Sequence, residues 1–215
     1  MSGASAAAPD GYWTPYLTPP PDMTRYRPGG IVVDVGCGQG GQLSALRDAG
    51  CRPVGLELAE EAARESHAKG RPVIIAAAES LPLRDESCDG VLCKVVLPYT
   101  DERRAIAEMA RVVAKGGVAV IYLHGLGYSL QYLLKPEVWK LSIYAARTIL
   151  NTMIYRLTGR RLPGFLGDTI FQSERRLAAV LPLGGSASRF GHRVQAFSPV
   201  AGLHRPCGPE IKRPL

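Results

Sequence analysis

In this 215-residue sequence, a glycine-rich stretch and three acidic residues have the types and spacing expected of a binding or catalytic site. The stretch VVDVGCGQGG, residues 32–41, changes abruptly from a hydrophobic run to glycines, with Asp34 two positions before Gly36. Glu57 ends the later run VGLE, and Glu79 follows the run PVIIAAA. Glycines after a buried strand let the backbone approach a ligand closely, so the pattern indicates a nucleotide-binding site.

The glycines alone fit two kinds of nucleotide. Gly36, Gly38 and Gly41 satisfy the G-x-G-x-x-G spacing of a dinucleotide-binding turn. Glu57 also lies about where that motif places the acid that binds the ribose. Gly36, Gly38 and Gly40 equally fit D-x-G-x-G-x-G, the pattern of turns that bind S-adenosylmethionine (SAM). The residues around the glycines therefore have to decide between the two ligands.

The positions of the three acids favour SAM. Asp34 lies inside the first expected strand, where a dinucleotide fold would normally bury an apolar side chain. A buried carboxylate is costly unless it is paired or hydrogen-bonded, and the ammonium group of SAM would supply a partner. Glu57 would accept hydrogen bonds from both ribose hydroxyls, and Glu79 would meet the adenine amino group. Acids at three successive strand ends favour a cationic ligand without phosphates over a pyrophosphate.

Alternating strands and helices must position these residues. Hydrophobic runs rich in β-branched residues predict strands at 31–35, 53–58, 72–78, 90–96 and 118–123. Helical spacing and glycine stops predict helices at 42–49, 59–69 and 101–114. Strands regularly separated by helices indicate an α/β fold with a doubly wound, mostly parallel sheet, whose ligands bind beyond the carboxyl ends of the strands.

Four segments in order carry a resemblance to a known family: VDVGCGQGG, VGLELAEEA, AAAESLPLRDESCDGVLC and EMARVVAKGGVAVI. With them, residues 31 to about 123 resemble a class I SAM-dependent methyltransferase of the small-molecule type, in the type 11 group. The most specific block is ESLPLRDESCDGVLC, since dinucleotide dehydrogenases lack an acid, Leu-Pro-Leu and an Asp opening strand four. The resemblance implies a seven-stranded Rossmann-like sheet, with a final strand near residues 193–198.

The resemblance also implies a set of cofactor-binding residues, which are Asp34, Gly36, Gly38, Gly40, Glu57, Leu58, Glu79, Ser80 and Lys94. The glycine turn with Asp34 would hold the methionine end of SAM, Glu57 the ribose, and Glu79 with Ser80 the adenine side. Residues 94–97 would form the wall behind the sulfonium. Lys94 departs from the family pattern and is expected to contribute only its backbone.

Methyl transfer demands little from catalytic side chains. A sulfonium is already an activated methyl donor, so alignment of the reactants can contribute about 7 to 11 kcal/mol. A general base would add roughly a hundredfold to ten-thousandfold if the acceptor is a hydroxyl or a protonated amine. The candidates for that base are His124, Tyr99, Asp101 and Asp168. His124 is favoured because it follows the fifth strand and its neutral form accepts protons near pH 7, although a histidine merely hydrogen-bonded there fits equally.

The motif LPYT, residues 97–100, bears on the acceptor. Nucleic-acid amino-methyltransferases have Asn-Pro-Pro-Tyr at this place, and Leu97 replaces the Asn or Asp that would accept from the target amino group. This departure argues against methylation of adenine or glutamine nitrogen. Tyr99 is expected to line the acceptor pocket.

Residues 125 to about 182 have a helical pattern that is interrupted at Pro136. We expect a helical insertion between strand five and the final strands, acting as a lid over the cofactor. A peripheral membrane contact, a dimer face or an ordinary helical core would give the same pattern. Residues 124–215 carry 13 Lys and Arg against 4 Asp and Glu, whereas residues 1–123 carry 13 against 15. This basic part suits an acidic substrate, a nucleic acid, an anionic membrane surface or simply solvated arginines.

Length and composition favour one domain, residues 31–215, behind a flexible segment at 1–30 that is itself a candidate lid. The five cysteines are odd in number and form no C-x-x-C pair, so we expect no disulfide framework and no metal site. Without a signal-like N-terminus or about 18 uninterrupted apolar residues, a soluble cytoplasmic protein without a membrane span is expected.

The sequence thus predicts an enzyme that transfers a methyl group from SAM to a small-molecule acceptor, partly hydrophobic and of the natural-product or lipid-like kind. RNA methylation is an alternative that uses the basic part, but no recognised RNA-binding appendage supports a nucleic acid partner. A SAM-binding or partner-binding protein without turnover is a third. The attacking atom and the oligomeric state are not determined by the sequence.

Overall fold

A computed structural model describes residues 22–122, 126–133, 139–160, 162 and 169–171. The five strands of this part are β1 (Ile31–Val35), β2 (Arg52–Glu57), β3 (Val73–Ile75), β4 (Cys88–Lys94) and β5 (Val113–Tyr122). The α-helices are α1 (Gly41–Asp48), α2 (Glu60–Ala68), α3 (Glu102–Val112), α4 (Leu126–Leu133) and α5 (Trp139–Thr158). Short 3-10 helices occupy Met23–Arg25 and Leu97–Tyr99.

The strands form one sheet in the order β3-β2-β1-β4-β5, and every neighbouring pair is parallel. The predicted α/β fold with a parallel sheet is therefore confirmed. Five strands, not seven, belong to the described part of the chain, and the expected strand at 193–198 lies outside it. The strand order reverses between β1 and β4, which is where open α/β sheets bind ligands, beyond the carboxyl ends of the strands.

Both faces of the sheet are buried, as expected for parallel strands covered on each side. One face packs Val33, Val35, Val91 and Cys93 against buried residues of α3. The opposite face packs a second cluster, made of Tyr26, Val32, Leu46, Cys51, Leu92, Val120 and Tyr122. The alternation along β1 and β4 assigns each of their side chains to one face.

Helix α3 and strand β5 differ in their boundary from the prediction. The helix was expected to end at two glycines after residue 114, but β5 already begins at Val113, which pairs with Cys88 and is fully buried. The register then shifts, so that Val118 pairs with Gly90. Gly116 has φ +79° within this irregular stretch, a conformation that glycine adopts without steric cost. The glycines thus bend the start of a strand and do not end the helix.

Strand β3 is shorter than predicted, and strand β4 has the predicted length but lies two residues earlier in the chain. β3 covers three residues, Val73–Ile75, at the edge of the sheet, and does not extend through 72–78. β4 runs Cys88–Lys94 and ends before Val95, whose φ is +60°. A β-branched residue is strained in that left-handed region, so the backbone leaves the strand direction there.

The segment before β1 is docked on the sheet. Tyr26 is only 4% exposed, and its hydroxyl donates to the carbonyl of Val91 at 3.0 Å. The backbone N–H of Asp22 donates to the hydroxyl of Tyr122 at 3.0 Å. The segment expected to be flexible at residues 1–30 includes the 3-10 helix Met23–Arg25, and the buried ring of Tyr26 fixes the chain around it. Residues 1–21 lie outside the described part.

Helix α5 holds the segment 169–171 with buried polar side chains. Asn151 Nδ2 donates to the carbonyl of Thr169 at 2.6 Å, and Thr152 Oγ1 accepts from the N–H of Phe171 at 2.9 Å. The Oγ1 atoms of Thr148 and Thr169 lie 3.0 Å apart.

The predicted helices are present at α4 and α5, and Pro136 lies between them, outside the described residues. None of the described helices is long and apolar enough to cross a membrane.

Candidate functional site

The turn after β1 is built from left-handed glycines. Gly36, Gly38 and Gly40 have φ values of +72°, +53° and +81°. The N–H of Gly36 donates to the carbonyl of Leu56 at 2.7 Å, which ties the turn to β2. A Cβ on Gly36 would collide with the side chain of Val96, whereas a Cβ on Gly38 would meet nothing within 4 Å. Gly36 is therefore required for packing, and Gly38 presents its backbone to open space.

Asp34 is a buried carboxylate beside this turn, between Gly55 of β2 and Leu92 of β4. It is 1% exposed, and its Oδ2 atom has no hydrogen-bond partner within the described part of the chain. Burial raises the pKa of Asp34 from 3.8 to about 7, Lys94 lowers this pKa, and Glu57 raises it. A buried acceptor without a donor is costly, so the site suits a cationic hydrogen-bond donor from a ligand.

Glu57 lies at the end of β2 and fastens the glycine turn. Its Oε2 atom accepts from the N–H of Gly38 at 2.8 Å, and its Oε1 atom accepts from the N–H of Ala59 at 2.9 Å. A carboxylate has about four lone-pair sites, so both oxygens can accept further bonds from ribose hydroxyls. The next residue, Leu58, is 68% exposed and offers an apolar surface beside the carboxylate. Their predicted roles in cofactor binding stay predictions.

The side chain of Glu79 is hydrogen-bonded to the backbone of Asp101. Oε1 of Glu79 accepts from the N–H of Asp101 at 2.8 Å. The Asp101 side chain accepts from the N–H groups of Arg103 and Arg104 at 3.1 and 3.3 Å, which makes it the N-cap of α3. Its carboxylate thus stabilises a helix N-terminus. The adenine contact of Glu79 and the general-base role of Asp101 stay predictions.

Ser80 follows Glu79 on the surface. Its side chain is exposed, and its N–H donates to the carbonyl of Ala77 at 3.1 Å in a turn. This turn holds the segment after β3 at the same edge of the sheet as the ends of β1 and β2. The predicted contact of Ser80 with the adenine side also stays a prediction.

Lys94 is the last residue of β4 and is half-buried. Burial lowers the pKa of Lys94, and the charge of Asp34 acts in the opposite direction. The strained Val95 follows, with its N–H donating to the carbonyl of Tyr122 at 3.0 Å. Strained backbone conformations, such as the positive φ of Val95, are often found at ligand-binding sites. The sequence gives no signal for the strain at Val95.

Tyr99 faces a cleft between the sheet edge and the helices α4 and α5. It is 56% exposed, and its hydroxyl lies 3.3 Å from the hydroxyl of Tyr144. The cleft opens to solvent. Its lining includes Val95, Pro98, Tyr99, Tyr144, Thr148 and Phe171. The helix pattern places Tyr144 only on an apolar face, and nothing in the sequence pairs it with Tyr99.

The remaining predicted catalytic candidates, His124 and Asp168, lie outside the described residues. The four cysteines in the described part, Cys37, Cys51, Cys88 and Cys93, are free and buried. The same part of the chain contains no group of three or more His, Cys, Asp or Glu side chains that could hold a metal ion.

Comparison with known proteins identifies relatives of the sheet region. A family model described as "Methyltransferase domain" matches residues 33–121, which run from β1 to β5. The chain is 38% identical over 106 residues to the mouse "Probable tRNA methyltransferase 9B", covering 45% of this chain and 22% of that protein. It is 34% identical over 97 residues to an Arabidopsis thaliana "tRNA (carboxymethyluridine(34)-5-O)-methyltransferase", covering 43% and 24%.

Solved structures share the fold. A SAM-dependent methyltransferase from Methanosarcina mazei matches with a TM-score of 0.54 at 21% identity, covering 74% of this chain and 80% of that one. This likeness covers more of the chain than the family match does, and at this identity it shows the fold alone. The chain spans less than half the length of the two tRNA methyltransferase relatives.

Proposed function

We propose that this chain, whose residues 33–121 are a class I SAM-dependent methyltransferase domain, transfers a methyl group from SAM to an acceptor bound next to Tyr99. The observation that carries the proposal is Asp34, which is 1% exposed with an oxygen that lacks a hydrogen-bond partner among the described residues. The amino-acid end of SAM bears the cationic donor that this oxygen needs. A dinucleotide pyrophosphate would bring negative charge to a buried carboxylate.

The residues around Asp34 suit the rest of the cofactor. Gly38 has open space where a side chain would stand, so its backbone can approach a ligand. Glu57 holds the N–H of Gly38 and keeps lone pairs for the ribose hydroxyls. Glu79 lies four residues after β3, where the adenine amino group would find an acceptor.

SAM supplies a methyl group on a positively charged sulfur. The acceptor's lone pair forms a bond to the methyl carbon as the carbon–sulfur bond breaks, and its electron pair returns to sulfur as neutral S-adenosylhomocysteine (SAH). A proton on the acceptor leaves to water or to a base. The chain's contribution is to hold donor and acceptor in line, which is worth about 7 to 11 kcal/mol. His124 stays the predicted base for this proton.

The acceptor we favour is a small, partly hydrophobic molecule. Its place in this proposal is the cleft at Tyr99, which opens to solvent. Val95, Pro98 and Phe171 give it apolar walls, and the hydroxyls of Tyr99 and Tyr144 give it a polar edge. Such a lining suits a compact acceptor with one polar group. Helices α4 and α5 would then act as the lid predicted from the sequence.

Methylation of a tRNA nucleoside is the second candidate. It is favoured by the names of two relatives, which are tRNA methyltransferases, and by the excess of Lys and Arg over acids after residue 123. The open cleft at Tyr99 could also take a single nucleoside of a larger acceptor. Basic residues elsewhere on the chain would then contact phosphates, and affinity would fall steeply with added salt.

Label transfer tests the proposal and separates the two acceptors. The full chain is incubated with methyl-labelled SAM and either the small-molecule extract or the total RNA of the producing cells. We expect label in the small-molecule fraction, and none after the same incubation with an Asp34→Asn variant. Label in RNA that ribonuclease releases would instead establish the second candidate. If SAH binds but no fraction is labelled, the chain binds SAM without turnover and the proposal is wrong.

A further inference from the structure

One arginine from the connection between α2 and β3 holds the glycine turn. The Nη1 atom of Arg71 donates to the carbonyl of Gln39 at 2.6 Å. Its Nε and Nη2 atoms donate to the hydroxyl of Ser44 at 3.2 and 3.1 Å. Gln39 lies between Gly38 and Gly40 of the turn, and Ser44 is the fourth residue of α1. A single guanidinium therefore ties the end of the turn to the start of the helix.

Arg71 is itself anchored to the body of the domain. Its backbone N–H donates to the carbonyl of Ser66 in α2 at 3.2 Å. The carbonyl of the next residue, Pro72, accepts from the N–H of Gly55 in β2 at 2.8 Å. No ion pair between described residues includes Arg71, so its charge is not committed to a carboxylate there. The side chain thus connects a fixed point beside the sheet with the turn.

Gly40 leaves room for this arginine. A Cβ on Gly40 would collide with the Cδ atom of Arg71 and the Oγ atom of Ser66. Gly40 is also the N-cap of α1, with φ +81°, and makes no side-chain capping bond. Helix α1 therefore begins without the usual cap, and Arg71 fixes the backbone at this point from outside. The last glycine of the turn is explained by the packing of Arg71 and not by a ligand.

We propose that Arg71 is a positioning residue, which holds the glycine turn in the conformation that binds the cofactor. The inference rests on the proposed function. Three of the five residues 36–40 are glycines with positive φ, and glycine loses more conformational freedom on ordering than other residues. Glu57 fastens Gly38, and Arg71 fastens the neighbouring Gln39. A turn that is already ordered loses less entropy when the cofactor binds.

The expected effect follows from the strength of the bonds. A hydrogen bond from a charged donor changes an equilibrium by about tenfold to a hundredfold, and the partial exposure of Arg71 reduces this. The apparent Kd rises as the fraction of protein with a binding-competent turn falls. We therefore expect Arg71→Met to raise the Kd for SAH about tenfold. In the ligand-free protein, the N–H of Gly40, which donates to the carbonyl of Cys37 at 2.9 Å, should exchange with solvent about tenfold faster.

Calorimetric titration of the full chain with SAH and hydrogen exchange of the ligand-free protein test the inference together. Arg71→Met removes the donors and keeps an unbranched stem beside Gly40. Arg71→Lys keeps the charge but lacks the planar fork that reaches two partners, so it should raise the Kd about threefold. Arg52→Met is the matched control, because Arg52 also donates to a backbone carbonyl, that of Gly29 at 2.9 Å, but at the amino end of β2. It should leave the Kd and the exchange of Gly40 unchanged.

Ser44→Ala tests whether Arg71 acts through its partner. This variant removes one of the two groups that the guanidinium contacts, so it should raise the Kd less than Arg71→Met does. In the double variant it should add nothing to the effect of Arg71→Met, because the two residues form one unit. Thermal unfolding verifies that the variants are folded, and Ser44→Ala carries the test alone if Arg71→Met does not fold.

The outcomes separate the role of Arg71 from the proposed function. An unchanged Kd in Arg71→Met, with SAH still bound and only Tm lowered, would make Arg71 merely structural and overturn the inference. A raised Kd with unchanged exchange of Gly40 would also overturn it, since Arg71 would then act on the ligand and not on the turn. Failure of the wild-type protein to bind SAH would overturn the proposed function itself and the role of Arg71 with it.

Discussion

Replacing Asp34 by asparagine should stabilise the ligand-free protein increasingly as the pH rises. Burial raises the pKa of Asp34 from 3.8 to about 7, so the folded protein holds this proton more tightly than the unfolded chain does. The wild type therefore loses stability as the pH rises from about 4 to about 7, and no further above that range. A shift of about three units corresponds to roughly 4 kcal/mol when the carboxylate is fully ionised.

The assay is urea unfolding of the wild type and Asp34→Asn at about pH 5 and about pH 8. The penalty on the wild type should be about 2 kcal/mol at the lower pH and about 4 kcal/mol at the higher one. The difference in unfolding free energy between variant and wild type should therefore grow by roughly 2 to 3 kcal/mol in favour of the variant. The test is the change of this difference with pH, because the amide of the Asp34→Asn variant adds a cost of burial that is the same at both pH values.

Asp48→Asn is the control, since Asp48 is an exposed residue at the end of α1 and carries no burial penalty. Its difference from the wild type should be the same at both pH values. If the difference for Asp34→Asn is also the same at both, Asp34 is not the strained buried carboxylate described here. The same variant should bind SAH at least tenfold more weakly, because an amide does not attract the ligand's ammonium group as a carboxylate does.

Two further predictions separate the fold from the site. Gly36→Ala should lower the free energy of unfolding by roughly 2 to 5 kcal/mol, because of the left-handed φ of Gly36 and the collision of the new Cβ with Val96. Gly38→Ala should lower it by about 1 to 2 kcal/mol, from the left-handed φ alone, and should also weaken SAH binding. Equal losses of Tm in the two variants would contradict this. Arg111→Met should cost roughly 1 to 3 kcal/mol at neutral pH with SAH affinity unchanged, since its part-buried hydrogen bonds to Glu108 join neighbouring turns of α3. Because Arg111 lowers the pKa of Glu108, the part of this stabilisation that comes from Glu108 should disappear in urea unfolding as the pH falls below the usual carboxyl range, whereas the bonds from Arg111 to the carbonyls of Leu81 and Leu83 persist. A difference that stays constant with pH would refute this.

The sequence predicts the sheet well because its signals are local. The run Ile31–Val35 is a strand with the predicted bounds. A short continuous run of β-branched residues is typical of a parallel strand that is buried on both faces, so the sequence pattern predicts it directly. Glycines in the turn take the left-handed conformations that the D-x-G-x-G-x-G spacing requires. Asp34 is also buried as predicted, because its position within the run places it inside the strand.

The features that the sequence does not predict depend on contacts between residues far apart in the chain. Val113 belongs to a strand and not to a helix because it pairs with Cys88, and no local propensity reports that pairing. The proximity of Tyr99 and Tyr144 likewise depends on how α5 lies against the sheet edge. Tyr26 is ordered because it is buried against Val91 and its neighbours, although its surrounding composition is that of a loop. Side-chain burial of this kind is visible only in the folded molecule.

The most direct test of the central claim is calorimetric titration of the full chain with SAH and, separately, with NADH, using the wild type, Asp34→Ala and Glu57→Ala. Thermal unfolding verifies that each protein is folded. We expect saturable binding of SAH by the wild type, weaker binding in both variants, and no binding of NADH. Binding of NADH in preference to SAH, or SAH affinity that neither substitution changes, would contradict the assignment of the glycine turn to SAM.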